Sequence, residues 1–476
     1  MTILPQQPMI TAKRHMIVAG HYLATEAGAK VLEAGGNAID AGVAAGIALG
    51  VVHSDQVQFS GVAPMLIYLA EKDEVISIAG LGHWPKSANL SLFENQYNGT
   101  IPLGLLRTVV PAAPDAWITV LKNYGTMSFG EVASSAIKYA REGITVHPTM
   151  SKFLSRYQEN YRMWPSNSNI WQKNGHPLEV GDLLLQTDLA ASIQFMADQE
   201  AAAMKNGREK GLQAARDAFY VGDIASKIVK YHKENGGLMT ADDMASYATP
   251  IEKPLSINFR GTEVYSCRPW CQGPVLLQML NMLNDIDIKA MGHNSTNYIH
   301  YLAETIKLSF ADRERYYGDP NFVDVPVEKL LSSEFARQRQ EQINLQKAWP
   351  KMPPAGEIEG FGGISLRSKT NSDASFSEPD TSYTCTMDEH GNVCSITPSD
   401  VSFESPVIPG LGFCPSARGS QSFAVRGHAS EIAPGKRPRL TPNPAMALRR
   451  NQFVMPFGAP GGAVSYTHLR AHETVL

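Results

Sequence analysis

The 476-residue sequence predicts an α/β (α+β) protein in which buried helices and short paired strands alternate along one large folded unit. Three observations support this prediction: an Ala/Gly-rich apolar run near the N-terminus, short strand-like runs that occur in pairs, and an irregular arm that leads directly into a hairpin. With 43% hydrophobic residues, the chain can build a sizeable core. Its length alone suggests two or three domains, but large α/β proteins often keep this length in one unit.

The first observation concerns residues 20–52, where two predicted helices flank a glycine break. Val31 and Leu32 fall on one helical face, so the first helix should bury that face. The Gly-Gly-Asn sequence at 35–37 has the composition of a helix C-cap. The run from 38 to 50 is apolar nearly all round, which predicts a buried helix.

The second observation is a set of short apolar runs separated by turn residues. Residues 62–69 and 74–79 predict two adjacent strands. Residues 251–267 predict another strand pair, which turns at Arg260 and Gly261. The remaining periodicity is mostly helical, over residues 112–145, 187–247 and 296–317.

The third observation is an abrupt change of composition at Asp380. From about 346 to 380 the chain is rich in Pro, Gly, Ser and Lys, which predicts a mobile linker arm. The sequence TSYTCTMDEHGNVCSIT, which begins at Thr381, predicts a hairpin that turns at Gly391 and Asn392. This junction is the most informative point of the sequence.

Charge and cysteine usage argue against several classes of protein. The formal net charge is −4 and no basic stripe occurs, so we expect no nucleic-acid partner. No stretch approaches the roughly 18–20 apolar residues that span a bilayer, and the N-terminus lacks the apolar centre of a secretory signal. The five cysteines are widely spaced and fit neither a disulfide framework nor a metal site. Together these features predict a cytoplasmic protein without membrane association.

The common catalytic motifs are absent, but Thr381 offers another chemistry. The sequence has no G-x-S-x-G elbow, no Walker loop and no H-E-x-x-H zinc motif. If the chain is cut before Thr381, that residue carries both a hydroxyl and a free α-amine. The pKa of an α-amine is about 7.7–8, so this amine can take the hydroxyl proton near neutral pH. From the junction alone, the alternative that Thr381 merely opens a strand stays open.

A resemblance along nearly the whole chain favours the catalytic interpretation. Residues 15–463 are similar to γ-glutamyltransferases and their bacterial relatives, with motifs in the same order and at compatible spacing. The motifs are GGNAIDAGVA at 35–44, VVPAAPDAW at 109–117, YGTMSFGEV at 124–132, LMTADDMASY at 238–247, FADRERYYGDPNFVDVPV at 310–327, PDTSYTCTMDEHGNVCSIT at 379–397, PGKRPRLTPNPAM at 434–446 and FGAPGGA at 457–463. Each motif alone is weak, but eight in register are specific.

The resemblance implies a four-layer αββα sandwich of the N-terminal-nucleophile hydrolase type. It also implies a precursor that splits itself between Asp380 and Thr381. The products would be a large subunit, 1–380, and a small subunit, 381–476, which are each other's partners. The sequence leaves any further oligomer open.

The resemblance also assigns catalytic roles. Thr381 matches the family nucleophile, and Ser399 stands where the family places a threonine that supports the nucleophile's hydroxyl and amine. Gly461 and Gly462 match the pair whose backbone N–H groups form the oxyanion hole. Since nucleophile, base and oxyanion donors all come from the chain, no metal or organic cofactor is implied.

Three departures from the family pattern concern recognition of a free γ-glutamyl group. Leu81 stands where γ-glutamyl-specific members carry an arginine that clamps the substrate's α-carboxylate, and leucine cannot supply that fork. Leu440 and Thr441 replace a pair of serines. The acid that receives the α-ammonium is missing from the sequence GSQSF at 419–423.

Other residues are candidates for a different substrate. Arg418 and Arg439 are candidates to bind another acid group, with a surface or structural arginine as the alternative for each. Tyr383 stands where the family usually carries histidine or a similar group, and it is an unassigned residue of the site wall.

The resemblance therefore predicts a self-processing amidohydrolase or acyltransferase. A glutathione-type γ-glutamyl amide is the default substrate, and a different small or acyl amide, oxamate-like or acylase-like, is the alternative. A third alternative is an inactive precursor, because the chain ends VSYTHLRAHETVL where the family continues with a helix and core strands. That string resembles adapter read-through, so residues 464–476 are predicted not to be native and the small subunit to be truncated.

Overall fold

The computed structural model describes residues 10–365 and 381–460. Within them, two antiparallel sheets lie face to face, and helices cover the outer face of each sheet. The helices are α1 Tyr22–Glu33, α2 Ala38–Val52, α3 Leu90–Tyr97, α4 Ala113–Tyr124, α5 Phe129–Glu142, α6 Pro148–Arg156, α7 Gln158–Arg162, α8 Pro165–Trp171, α9 Thr187–Ala203, α10 Arg208–Tyr220, α11 Asp223–Glu234, α12 Ala241–Ala245, α13 Gly273–Leu283, α14 Thr296–Tyr316, α15 Val327–Leu330 and α16 Ser333–Gln340. The strands are β1 Met16–Ala19, β2 Met65–Leu69, β3 Glu74–Ile78, β4 Ile144–Thr145, β5 Gln172–Lys173, β6 His176–Pro177, β7 Leu183–Leu184, β8 Ile251–Glu252, β9 Leu255–Phe259, β10 Thr262–Ser266, β11 Thr384–Met387, β12 Val393–Ile396, β13 Ala445–Arg449 and β14 Phe453–Phe457.

The first sheet has six strands in the order β1-β11-β12-β2-β3-β8. Strands β11 and β12 form the hairpin predicted after Thr381, with Cys385 opposite Ser395. The hairpin lies between β1 and β2, and it pairs with both. The sheet therefore interleaves strands that precede the predicted linker with strands that follow it.

The second sheet has four strands in the order β14-β13-β10-β9, and it packs on the first. Side chains alternate along a strand, so Leu66 and Val393 of the first sheet meet Met446 of the second in a buried cluster. A polar contact also crosses this interface, where Ser395 Oγ donates to Ala445 O at 3.3 Å. The space between the sheets is thus one of the protein's cores.

Helix α2 covers the outer face of the first sheet, and all of its residues are buried. An added Cβ on Gly42 would lie 3.0 Å from Cys394 Sγ, and one on Gly46 would lie 2.6 Å from the Trp117 ring. Glycine at these positions lets the helix approach both neighbours closely. The prediction of a buried Ala/Gly-rich helix is confirmed, and its start is fixed by an Asn37 capping box.

Helix α13 covers the outer face of the second sheet, where Leu277 packs with Val264 and Ala447. Helices α14 and α16 pack alongside it and complete the fourth layer. This order of layers is the αββα sandwich that the resemblance implies. Neither α14, at 21 residues, nor any other helix in the described ranges is long and apolar enough to cross a membrane.

Residues 346–365 are the described part of the predicted linker arm, and they form neither helix nor strand. Gly356 N–H donates to Asp312 Oδ1 on α14 at 2.7 Å, and Ile358 is buried in an apolar cluster. This part of the arm is therefore packed against the fourth layer. The rest of the predicted arm, 366–380, lies outside the described residues.

Candidate active site

Thr381 lies three residues before the start of β11, and its side chain is buried. It forms an antiparallel bridge with Ser399, which in turn bridges Val62 and donates its N–H to Val62 O at 3.0 Å. These backbone contacts hold Thr381 Oγ1 2.8 Å from Ser399 Oγ. The hairpin thus brings together the residue predicted as the nucleophile and the residue predicted to support it.

A buried arginine contacts the second of these hydroxyls. Arg418 Nη2 donates to Ser399 Oγ, and Arg418 Nε lies 3.3 Å from Asp400 Oδ1. Asp400 also accepts hydrogen bonds from Ser416 Oγ at 2.6 Å and from Ala417 N–H at 3.2 Å. Burial raises the pKa of Asp400 to about 6, although the nearby Arg418 opposes that rise. Sequence reasoning did not find Asp400, whose only local signal is its position after Ser399.

The backbone at Asp400 is strained, with φ at 140°. Residues other than glycine rarely adopt such a conformation, which typically costs about 1–3 kcal/mol. Neighbouring segments hold it in place: Asp400 N–H donates to Gln56 O at 3.1 Å, and a Cβ on Gly61 would overlap Ser399 O. Strain of this kind concentrates at functional sites, so it marks this cluster as a candidate active site.

Arg439 lies in a separate buried ion pair. Its Nη2 is 2.9 Å from Glu314 Oε2, and its Nη1 donates to Arg313 O at 3.1 Å. The guanidinium also lies over the Phe423 ring, 5.2 Å from its centroid. These contacts favour the structural alternative for Arg439 over a role in binding a substrate acid group.

Leu81 and Leu440 belong to the apolar cluster between the sheets, together with Val62. Both are fully buried, with 0% of each side chain exposed. Leu440 N–H donates to Trp270 O at 2.9 Å, which fixes its backbone. Neither position presents a charge or a hydrogen-bond donor from its side chain to a carboxylate.

The other positions that depart from the family pattern are Thr441 and the segment 419–423. Their side chains form hydrogen bonds with each other or with Trp84. Gln421 Nε2 donates to Thr441 Oγ1 at 2.7 Å, and Thr441 N–H donates back to Gln421 Oε1 at 3.0 Å. Within the GSQSF sequence, Ser422 Oγ accepts a hydrogen bond from Trp84 Nε1 at 2.9 Å. The segment that lacks the family acid is therefore filled by neutral hydrogen-bonding groups.

Tyr383 points toward the second strand of the hairpin. Its hydroxyl lies 2.8 Å from Ser395 Oγ, and a Cβ on Gly458 would lie 2.6 Å from its ring. Burial raises the pKa of Tyr383 well above its usual value, so the phenol stays neutral at physiological pH.

Comparison with known proteins identifies the family. The sequence profile named Gamma-glutamyltranspeptidase matches residues 24–470 of the chain. The chain belongs to the gamma-glutamyltranspeptidase family. The glutathione hydrolase-like YwrD proenzyme of Bacillus subtilis (strain 168) is 31% identical over 457 residues, covering 95% of this chain and 80% of the relative.

Two acylases are also similar to this gamma-glutamyltranspeptidase-family protein. The Acylase ACY 1 proenzyme of Pseudomonas sp. (strain SE83) is 31% identical over 466 residues, covering 95% of this chain and 77% of the relative. The crystal structure of the cephalosporin acylase from Bacillus halodurans matches with a TM-score of 0.82 at 27% identity, covering 96% of this chain and 79% of that one. These matches confirm the family and the N-terminal-nucleophile hydrolase fold, and they place the chain among enzymes.

Several residues assigned from the family lie outside the described residues. They are Asp380 of the predicted cleavage site, Gly461 and Gly462 of the predicted oxyanion hole, and the predicted non-native tail at 464–476. These assignments and the cytoplasmic location stay predictions.

Three histidines that are far apart in the sequence form a cluster of rings, and one of them lies near the residue that follows Thr381. The ring centroids of His21, His53 and His147 are 5.2–5.4 Å apart. A Cβ added to Gly20 would overlap Ser382 Oγ and lie 3.4 Å from His53 Cε1, so the His53 ring lies near Ser382. Each histidine flanks a different helix, and therefore no regular spacing in the sequence predicts the cluster.

The contacts of His21 and His147 require neutral rings. His21 Nδ1 and His147 Nδ1 each accept a backbone N–H at 3.2 Å at the start of a helix. Burial, reinforced by the charge of His147, lowers the pKa of His21 to about 4 and that of His53 to about 3. The rings are not arranged as a metal site, because the described ranges contain no group of three or more His, Cys, Asp or Glu that could hold an ion.

The histidine cluster predicts that acid destabilises the folded protein. Unfolded histidines bind protons near pH 6.5, whereas folded His53 does so only near pH 3, so stability falls as the pH drops below about 6.5. Between pH 7.5 and pH 5, His53 alone should account for a loss of about 2 kcal/mol in the free energy of unfolding. Urea titrations at the two pH values measure this loss. His53→Phe should reduce the loss of unfolding free energy between pH 7.5 and pH 5. The control His176→Phe, at an exposed position, should leave that loss unchanged. Equal losses in both variants would contradict the assignment of the effect to His53.

Proposed function

We propose that this protein is a self-processing amidohydrolase or acyltransferase whose nucleophile is Thr381. The observation that carries the proposal is the 2.8 Å contact between Thr381 Oγ1 and Ser399 Oγ, at the point where the predicted arm enters the core hairpin. Cleavage between Asp380 and Thr381 would divide the chain into the fragments 1–380 and 381–476.

The chemistry follows from the groups that Thr381 would then carry. Its Oγ1 bonds to the carbonyl carbon of the substrate amide, while its proton passes to the new α-amine and then to the leaving amine. The acyl group is left on Thr381 and is transferred to water or to another amine. The proposed oxyanion donors are the N–H groups of Gly461 and Gly462, and each such donor typically stabilises the transition state by about 3–4 kcal/mol.

Interleaved strands support the proposal that both fragments stay together after cleavage. Strands β11 and β12 of the second fragment lie between β1 and β2 of the first. Strand β13 likewise pairs with β10 across Ser266 and Ala445. Separation of the fragments would break both sheets, so the two proposed subunits form one enzyme.

Two substrate classes are candidates. A γ-glutamyl amide of the glutathione type is the default, because similar proteins are named glutathione hydrolases. A different small or acyl amide is supported by the buried apolar side chains of Leu81 and Leu440 and by the hydrogen bond that Ser422 accepts from Trp84. The second class is also supported by similarity to acylases. We propose the second class, because none of these three side chains carries the charge that recognises a free γ-glutamyl head group.

A matched set of anilides tests the proposal. The γ-glutamyl, glutaryl and pentanoyl anilides have the same chain length and differ only in the ammonium and carboxylate groups at the far end. We expect kcat/KM for the glutaryl or pentanoyl anilide to exceed that for the γ-glutamyl anilide by at least about 10-fold. The reverse order would establish the γ-glutamyl default, and no hydrolysis of any amide would overturn the proposed function.

A further inference from the structure

Arg418, Ser399 and Thr381 form a chain of contacts that ends at the proposed nucleophile. Arg418 Nη2 donates to Ser399 Oγ, and Ser399 Oγ lies 2.8 Å from Thr381 Oγ1. A guanidinium has five N–H donors and no acceptor, so the first of these bonds has a fixed direction. A hydroxyl both donates and accepts, so distance alone does not fix the direction of the second.

We propose that Arg418 is a positioning residue that directs the Ser399 hydroxyl to donate its proton toward Thr381 Oγ1. A cation that donates to Ser399 Oγ withdraws electron density from it. The Ser399 O–H becomes a stronger donor and its other lone pair a weaker acceptor, because hydrogen bonds in a head-to-tail chain reinforce one another. The favoured arrangement is Arg418 to Ser399 to Thr381. This inference deepens the proposed function and rests on it.

This direction matters for the proposed attack. Thr381 Oγ1 gains negative charge as its proton leaves for the α-amine, and that charge passes to the carbonyl oxygen as the new bond to carbon forms. A hydroxyl that already donates to Oγ1 stabilises that charge without reorienting. A Ser399 hydroxyl turned the other way would accept from Thr381 and hold the proton that has to leave. In this proposal Arg418 acts on Thr381 through the Ser399 hydroxyl.

Asp400 aligns the arginine. Its Oδ1 lies 3.3 Å from Arg418 Nε, and its Oδ2 accepts from Ser416 Oγ at 2.6 Å. Because Asp400 directly follows Ser399, one strained segment supplies both the hydroxyl and the carboxylate that orients its donor. This arrangement gives Arg418 a role other than the one predicted from the sequence, where it was a candidate to bind a substrate acid group.

A double-mutant cycle on the full-length chain tests the inference. The variants are Ser399→Ala, Arg418→Met and the combination, and the rate constant of acyl-enzyme formation is measured with the neutral pentanoyl anilide. We expect Arg418→Met to slow acylation by about 10- to 100-fold when Ser399 is present, with KM little changed. In the Ser399→Ala background the same substitution should change the rate by less than about 2-fold, because its effect passes through Ser399.

Two further variants separate this role from simple structural support. Arg418→Lys keeps a cationic donor and should restore part of the rate. Arg107→Met removes a neighbouring arginine, paired with Glu404 at 2.7 Å, and should leave acylation nearly unchanged. If Arg418→Met does not fold because Asp400 is left unpaired, the cycle is run in an Asp400→Asn background.

The outcomes distinguish this inference from the proposed function. Equal slowing by Arg418→Met with and without Ser399 overturns the inference. A rise in KM confined to the glutaryl anilide also overturns it, and shows instead that Arg418 binds a substrate carboxylate. A wild-type chain that hydrolyses none of the anilides overturns the proposed function and this inference together.

Discussion

Replacement of Thr381 by alanine is expected to abolish both cleavage of the chain and hydrolysis of amides. The substitution removes the hydroxyl that lies 2.8 Å from Ser399 Oγ and leaves the buried backbone bridge in place. Loss of a covalent nucleophile lowers kcat by at least about 10³-fold. Intact mass spectrometry should find two fragments, split between Asp380 and Thr381, for the wild type and one uncut chain for the variant.

Two substitutions in the same segment make this test specific. Thr381→Ser keeps a hydroxyl and an α-amine, so we expect cleavage and measurable amide hydrolysis. Thr384→Ala removes another buried threonine hydroxyl, which donates to Val18 O at 3.0 Å, and should leave cleavage intact. Cleavage of the Thr381→Ala chain at the same bond would show that another group cuts the precursor, and it would remove Thr381 from the mechanism.

The parts of the fold that sequence predicts well are those encoded locally. The Ala/Gly run of α2 is apolar on every side, which only a fully buried helix satisfies, and the structure buries all of it. The hairpin of β11 and β12 is fixed by alternating side chains around a glycine turn. The hairpin turn sets the register of β11 against β12. Continued beyond the strands, the same register brings Thr381 opposite Ser399, where the structure has a bridge between them.

Partners that meet only through tertiary packing are not encoded in this way. Arg439 pairs with Glu314, 125 residues away, and nothing near either residue indicates the other. His21, His53 and His147 meet because three helix ends converge, not because of any regular spacing. The sequence therefore indicated Arg439 as a candidate without its contacts, and it did not single out the three histidines.

The same limit explains the two interpretations of Arg418. From sequence, an arginine near the site of a family that binds carboxylates suggests a substrate clamp. In the folded chain, Asp400 and Ser399 lie against its guanidinium, and both are buried with it. A charge interacts most strongly with the groups that it contacts where water is excluded. Its effect on Ser399 is therefore the first property to measure, before substrate specificity is engineered at this position.

Replacement of Arg339 by methionine is expected to lower the free energy of unfolding by about 3–5 kcal/mol at pH 8. Arg339 is 1% exposed, and its Nε lies 3.2 Å from Asp312 Oδ2. Its Nη2 also donates to Leu308 O at 3.1 Å and to Pro354 O at 3.0 Å, which ties α16 to α14 and to the packed part of the arm. Methionine fills a similar space but leaves the Asp312 carboxylate buried without its cation.

The pH dependence of that loss identifies its cause. Burial already raises the pKa of Asp312 to about 6, although Arg339 opposes the rise, so removal of the arginine should raise it further. A carboxyl group whose folded pKa is raised destabilises the fold when it is ionised, so the loss should shrink as the pH falls from 8 to 5.5. Urea unfolding measures the loss at each pH, with the exposed Arg337→Met on the same helix as a control expected to shift stability by less than about 0.5 kcal/mol. A loss independent of pH would assign the effect to the lost hydrogen bonds to Leu308 O and Pro354 O, because only an uncompensated carboxylate is relieved by protonation.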